Sequence, residues 1–185
     1  TLILVRDRMG KKPLWYSLKP DGTLLFASEV KALVAAGVAT TLRRESISEV
    51  MQFGYVNAPR SAYNEINQLP PATIGLWQDG SWKTSQYWVP DFATENKISY
   101  ADALEQTKVL IRQAVERRLI SERPLGSFLS GGFDSTVVTA YMAQLMPNKV
   151  KTFSIGFNDP RYDESAYARA VAKYLGTEHV EEKLS

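Results

Sequence analysis

The residues whose types and spacing can do chemistry are Ser130-Gly131-Gly132-Phe133-Asp134-Ser135. They follow a short apolar run, Leu125 to Leu129, and precede a stretch with helical apolar spacing. A strand that feeds a helix through a glycine-rich bend leaves backbone N–H groups without partners, an arrangement that holds anions. Gly131 and Gly132 lack Cβ atoms and are free to take positive φ, so the backbone can approach phosphate oxygens closely. Ser130 and Ser135 add hydroxyl donors, and the following helix aims the positive end of its dipole at the same place. The bend lacks the lysine of a GxxxxGK[ST] loop and carries Asp134 instead, which repels phosphate unless a cation stands between them. Magnesium held by that carboxylate and by phosphate oxygens suits a bound pyrophosphate. The competing reading is a plain strand-to-helix turn in which Asp134 and Ser135 only start the helix.

Elements on either side must position this bend. Ser99, with Asp102 three residues on, opens a long helix to about Ile120 whose Leu104, Ile111, Val115 and Leu119 share a face. Glu105, Lys108, Arg112 and Glu116 fall on its wet side at ion-pair spacing. Arg117, Arg118 and Arg123 read either as a phosphate or RNA contact or as cations at a solvated helix end, and the second is preferred. After the bend, Val137, Val138, Tyr141, Met142 and Leu145 make a helical face that Pro147-Asn148 ends, and Val150 to Phe157 reads as a buried strand. Strand, helix and strand at this spacing predict a right-handed parallel crossover with a ligand crevice at the C-terminal strand ends, where Gly156 leaves room for a flat ring. Asp163 reads as the cap of the next helix, with a place near substrate or magnesium as the alternative. His179, the single histidine, lies on a third strand, where packing or a local hydrogen bond is expected.

The front of the chain reads as strands followed by helices. Leu2–Val5, Pro13–Leu18 and Thr23–Ala27 are expected strands, the last two joined through Lys19-Pro20-Asp21-Gly22. Ser28 is expected to cap a helix to about Ala36 with Gly37 as its stop, and Ser46-Ile47-Ser48-Glu49 fits a capping box for a helix ending near Gly54. Residues 72–78 and 81–87 pair across Asp79-Gly80. Trp77, Trp82, Tyr87 and Trp88 offer a stacking surface or, as preferred here, a cover for a small sheet, since no basic cluster is interleaved with them. Residues 89–98 read as a linker.

At 185 residues, 44% hydrophobic and net charge +2, the chain has the makings of one or two domains and no strong attraction to nucleic acid or membrane. It has no cysteine, no apolar run of membrane-span length and no signal core, so a soluble, cytoplasmic protein is expected. Thr1 falls in mid-strand and Ser185 follows a strand, so a piece of a longer protein is expected.

The run SGGFDS after an apolar strand resembles the pyrophosphate loop of the N-type ATP pyrophosphatases, a group that includes asparagine, β-lactam, NAD, GMP and argininosuccinate synthetases and tRNA-thiolating enzymes. Arg6-Asp7-Arg8-Met9-Gly10-Lys11-Lys12-Pro13-Leu14-Trp15-Tyr16 and Phe26-Ala27-Ser28-Glu29-Val30-Lys31-Ala32-Leu33 narrow the choice. They resemble the end of the class II glutamine amidotransferase domain of the asparagine synthetase B-type family. Leu69-Pro70-Pro71, Gln86-Tyr87-Trp88, Tyr162-Asp163-Glu164 and Gly176-Thr177-Glu178-His179 continue the likeness. The chain departs from the family pattern at Ala72, where glycine is usual, and at Phe133, where a smaller aliphatic residue is usual.

The resemblance implies an α/β and α+β fold. Residues 1–88 would be the end of an N-terminal-nucleophile glutaminase sandwich with its interdomain segment, and residues 99–185 the first strands and helices of a parallel-sheet ATP pyrophosphatase domain. It also implies ATP across the strand ends, with adenine against backbone near Phe128 and Ile155 and the phosphates on Ser130, Gly131, Gly132 and Ser135. Asp134 would bind magnesium on those phosphates. The implied small-molecule substrates are aspartate, glutamine and ATP, with a homodimer allowed. The family's cysteine nucleophile and glutamine-binding residues are expected upstream, and its synthetase acid and lysine beyond Ser185, so no catalytic residue is assigned and Thr1 is not promoted to nucleophile. Rival readings are a β-lactam-synthetase-like amidotransferase acting on another carboxylate, an RNA-modifying protein, and an inactive nucleotide-binding paralogue.

Overall fold

The structure is a computed structural model that describes residues 1–95 and 97–184; Asn96, inside the expected linker, and Ser185 lie outside the described residues. The chain divides into two units, Thr1–Glu95 and Asn96–Ser185. Together they make a mixed α/β chain with three small sheets among the described residues.

The first unit runs β1 (Leu2–Val5), β2 (Trp15–Leu18), β3 (Leu24–Ala27), α1 (Val30–Ala35), α2 (Arg44–Phe53), β4 (Asn67–Gln68), β5 (Thr73–Gln78) and β6 (Ser81–Gln86). Its sheets are antiparallel, in the orders β1-β5-β6 and β3-β2-β4. Asp79 and Gly80 take φ of +50° and +77°, the left-handed pair that a two-residue hairpin needs. Gly22, at φ +82°, closes the β2–β3 turn. Leu33, Val38 and Ile66 form the core, with Trp15, Leu25, Ala27, Val30 and Tyr63 packed around them.

The tryptophans act as cover. The Trp82 ring occupies the space above Gly75 and lies 4.9 Å from Tyr16, while Trp77 Nε1 donates to the Gly22 carbonyl at 2.8 Å. Trp88 carries the Arg8 guanidinium over its ring at 5.5 Å.

Two expected helix starts are corrected. Ser28 is not a cap: α1 begins at Val30 behind an extended Glu29 that makes no side-chain cap bond, because β3 runs to Ala27 and the chain must bend before it can coil. Nor do Ser46 and Glu49 form a capping box. Helix α2 begins at Arg44, the buried Ser46 hydroxyl donates to the Ser61 carbonyl at 2.7 Å, and Glu49 accepts from Asn57 N–H and pairs with Arg60. Partners distant in sequence hold both side chains that a local cap would have used.

The second unit runs α3 (Tyr100–Glu116), β7 (Gly126–Phe128), α4 (Phe133–Leu145), β8 (Lys151–Phe157), α5 (Ser165–Leu175) and β9 (Glu178–Leu184). Ser99 caps α3, accepting from Asp102 N–H at 3.1 Å. The helix stops short of the expected Ile120, and Arg118 donates to the Ala114 carbonyl at 2.8 Å, the role of a cation at a helix end. Of the four wet-side charges, Glu105 and Lys108 form an ion pair at 2.7 Å.

The sheet is parallel in the order β7-β8-β9. Val115, Met142 and Val150 tie α3 to α4 and to the start of β8; Leu129, Ala168 and Ala172 tie the bend to α5.

Strand β8 is not buried on both faces as expected. Its residues alternate, with Thr152, Ser154 and Gly156 buried and Phe153, Ile155 and Phe157 exposed. Strands added in sequence order by crossovers of one hand put their helices on one side, and α4 and α5 contact the sheet there. The other face is not covered by any described element of this unit.

Candidate functional site

Strand β7 ends at Phe128, paired with Phe153, while β8 continues four residues further. The chain leaves β7 at Leu129, whose N–H donates to the Phe153 carbonyl at 2.8 Å. This step holds a cleft of about 360 Å³ lined on one side by the apolar Phe128, Phe153, Ile155 and Phe157 and on the other by polar groups, including Ser130, Ser135 and Ser154. Four of the expected site residues, Phe128, Ser130, Ser135 and Ile155, therefore share one cleft. Gly131, Gly132 and Asp134 belong to the bend beside it.

The two glycines differ. Gly131 takes φ +83°, and a Cβ there would stand 2.5 Å from Tyr167 Cβ and 2.6 Å from Ala168 N. It is needed both for its backbone and for the close approach of the bend to α5. Gly132 does not use the positive φ open to it: at φ −68° and ψ 165° it is the N-cap of α4, in a conformation open to any residue. With no side chain at the cap, the first-turn amides of α4 have no capping partner.

The Ser130 and Ser135 hydroxyls lie 3.0 Å apart, Ser135 Oγ donates to the Gly132 carbonyl at 3.2 Å, and Gly132 N–H donates to Ser130 Oγ at 3.3 Å. The bend is thus held in shape by the two hydroxyls expected to meet an anion. Asp134 is exposed in the first turn of α4 and makes no hydrogen bond or ion pair among the described residues. No group of three or more metal-ligating side chains exists among the described residues. A magnesium ion here would accordingly take most of its ligands from phosphate and water, which the free carboxylate of Asp134 fits.

Phe133 faces elsewhere, lining a groove between α3 and α4 with Leu104, Ile111 and Tyr141. Its bulk therefore does not line the cleft. Gly156 is corrected: it faces the helix layer, where Asp163 Oδ1 and Ser165 occupy the space near it, and it offers no room for a ring.

Asp163 is not the cap expected of it: Glu164 holds the cap position of α5, and Asp163 stands one residue before it. Its Oδ1 accepts from Ser165 N–H at 3.2 Å and from Phe157 N–H at 3.3 Å, binding the end of β8 to the start of α5. The Ser165 hydroxyl, then the Ser165 amide, hold its carboxyl below the usual aspartate range. His179 Nδ1 lies 3.0 Å from Thr152 Oγ1 and Nε2 lies 3.2 Å from Ser154 Oγ, the local hydrogen bonding expected of a lone histidine.

Sequence reasoning put the strand end Ser154-Ile155-Gly156-Phe157 beside the bend, and Ser154, Ile155 and Phe157 do line the cleft; it missed Phe153, Tyr162, Glu164 and Ser165. Parity along β8 would have found Phe153, since Phe153, Ile155 and Phe157 stand at alternate positions.

Residues 1–88 match the family described as glutamine amidotransferase domain, and residues 106–185 the family described as asparagine synthase. The chain is 30% identical, over 94% of its length and 34% of the relative, to the putative asparagine synthetase [glutamine-hydrolyzing] 2 of Methanocaldococcus jannaschii. It is 29% identical, over 97% of its length and 28% of the relative, to asparagine synthetase [glutamine-hydrolyzing] 1 of Bacillus subtilis. It is also 28% identical, over 96% of its length and 28% of the relative, to the amidase chyE of Penicillium rubens. The chain thus spans about a third of the length of the curated relatives it matches. With an amidotransferase segment followed by a synthase segment, the chain is similar to one stretch of the glutamine-hydrolysing asparagine synthetases.

Proposed function

We propose that this chain supplies the ATP end of a ligase that makes asparagine from aspartate and glutamine. The observation that carries the reading is the uncapped N-terminus of α4 opening beside a cleft with an apolar wall and a serine-lined end. The apolar wall at Phe128 and Ile155 takes the adenine. The free first-turn amides, with Ser130, Gly131, Gly132 and Ser135, take the β- and γ-phosphates. Asp134 would hold a magnesium ion, which when bound would supply charge neutralisation for a departing pyrophosphate.

In the reaction an oxygen of the aspartate side-chain carboxylate forms a bond to the α-phosphorus, and the bond from that phosphorus to the bridging oxygen breaks, giving β-aspartyl-adenylate and pyrophosphate. Ammonia released from glutamine then attacks the acyl carbon, AMP leaves, and asparagine forms. Donors already in place meet the charge as it develops, which is transition-state electrostatics. In the finer assignment, residues 1–88 close an N-terminal-nucleophile glutaminase sandwich, 89–98 link, and 99–185 begin an ATP pyrophosphatase domain of a cytoplasmic enzyme that acts on small molecules and has the option of a homodimer.

Pyrophosphate release by the complete enzyme tests this: it is expected to require ATP and aspartate together. The likeness to an amidase favours one second reading, a specialised amidotransferase that uses another carboxylate. Release that ignores aspartate but responds to a different acid would establish that alternative.

A further inference from the structure

A chain of hydroxyls joins the buried side of the parallel sheet to the cleft, and it has a direction. Thr177 Oγ1 donates to the Ala172 carbonyl at 3.4 Å and lies 2.9 Å from Thr152 Oγ1. A hydroxyl has one proton, so the arrangement that uses all four contacts of the chain puts that of Thr177 on the carbonyl and makes Thr152 the donor between the two threonines. Thr152 can then only accept across its 3.0 Å contact with His179 Nδ1, which makes Nδ1 the protonated nitrogen. A neutral imidazole carries a single N–H. In that arrangement His179 Nε2 is bare and accepts the proton of Ser154 Oγ across their 3.2 Å contact.

The register explains why these groups meet: Thr152 stands opposite His179, and Ser154 follows two residues later on the same buried face. Thr152 is fully buried, whereas Ser154, at 8% exposure, also lines the cleft.

We infer that His179 is a positioning residue that holds the Ser154 hydroxyl proton away from the cleft, so that Ser154 Oγ presents only lone pairs to a bound nucleotide. Such an oxygen accepts from an N–H or O–H of the nucleoside, either the adenine amine or a ribose hydroxyl, and it repels phosphate oxygens. It therefore selects which end of the nucleotide occupies this part of the cleft. The inference rests on the ATP reading given above.

The test has two readouts, made on the full chain. Long-range 15N–1H NMR of the chain's single histidine is expected to show protonated Nδ1 and bare Nε2, with the Nε2 resonance moving in Ser154→Ala. A protonated Nε2 in the neutral ring overturns the inference whether or not ATP binds. Calorimetric titration with ATP is expected to show two- to tenfold weaker binding, in the range of about one neutral hydrogen bond, for Ser154→Ala and for His179→Gln, with no further loss in the double variant. Ser154→Thr keeps the hydroxyl and retains affinity. Unchanged affinity in Ser154→Ala, or losses that add in the double variant, overturns the inference. Comparison of 2′-deoxy-ATP, 3′-deoxy-ATP and the purine riboside triphosphate identifies the donor, since the analogue that lacks it no longer responds to Ser154→Ala. An unmodified chain that binds no ATP refutes the nucleotide reading, and the cleft role of Ser154 with it, while the tautomer is still decided by NMR.

Discussion

Arg6 Nη1 donates to the carbonyl of Leu69 at 2.6 Å, tying the residue after β1 to the segment before β5. The same guanidinium donates through Nε to the Lys12 carbonyl at 3.1 Å and through Nη2 to the Gly10 carbonyl at 2.8 Å. Asp7 holds the intervening loop from its other side, accepting from the amides of Lys11 and Lys12. Burial pulls the Arg6 pKa below the usual arginine value, with the charge of Asp7 opposing. A lysine ammonium is a compact charge that lacks the fork spanning three separated carbonyls. Arg6→Lys is expected to destabilise the first unit by about 2 kcal/mol, and Arg6→Ala by about 3 kcal/mol, through carbonyls left without partners. Urea unfolding measures both, and a variant within about 0.5 kcal/mol of the parent would show that water replaces the guanidinium at little cost.

Ala72 sits at φ +53° with its backbone fixed at both ends, its N–H donating to the Asp7 carbonyl and its carbonyl accepting from Tyr87 N–H. The left-handed region costs an L-residue about 1–2 kcal/mol. Glycine relieves that strain but adds freedom to the unfolded chain and removes a buried methyl. Ala72→Gly is expected to stabilise by about 0.5 kcal/mol, read as a raised thermal midpoint. A clear fall in the midpoint would mean that the methyl contributes more than the strain.

What was legible in the sequence was local chemistry. Asp79-Gly80 and Lys19-Pro20-Asp21-Gly22 specify their turns from their own backbone preferences, and Ser99 with Asp102 specifies a cap in the same way. What failed depended on distant partners. Ser46 and Glu49 have the spacing of a capping box, but Ser61, Asn57 and Arg60 engage them. The apolar run of β8 is the same whether one face or two are covered, so only the placement of α4 and α5 reveals which residues reach the cleft. Gly131 and Gly132 are alike as letters. They differ because α5 crowds only the first.

That difference is testable. Gly131→Ala places a methyl 2.5 Å from Tyr167 Cβ at a φ that disfavours it, so the bend must move off α5. A loss of about 2–4 kcal/mol in stability is expected, together with loss of ATP binding. In Gly132→Ala the new Cβ meets only Ser130 Oγ, at 3.3 Å. That rotatable hydroxyl can yield, so most stability and binding should remain. Titration of ATP into both variants separates them, and equal losses would refute the distinction.

Asp163 makes the second unit sensitive to acid. Its folded carboxyl is held below the ordinary value, first by the Ser165 hydroxyl and then by the Ser165 amide. A depressed folded pKa contributes stability above the unfolded value of about 3.9 and loses it as pH falls through the lower folded value. The parent chain should therefore lose midpoint temperature below about pH 4. Asp163→Asn should be less stable near neutrality and show a flatter acid limb, the two curves converging at low pH. Parallel curves across that range would assign the acid sensitivity to other carboxylates.

Asp134 stands beside the cleft with no structural partner among the described residues. It is exposed, uses neither oxygen in a hydrogen bond among the described residues, and adjoins amides that lack a cap. A helix-start role would give Asp134→Ala a stability loss of only about 0.3–1 kcal/mol and leave nucleotide chemistry intact. A role in holding magnesium on pyrophosphate removes about 3 kcal/mol or more of transition-state stabilisation instead, a rate loss of at least about a hundredfold. In the complete enzyme, aspartate-dependent pyrophosphate release is expected to be abolished by Asp134→Ala while glutaminase activity survives. The surviving activity shows that the variant is folded, so normal pyrophosphate release beside it would remove Asp134 from the metal site and leave only its place in the first turn of α4.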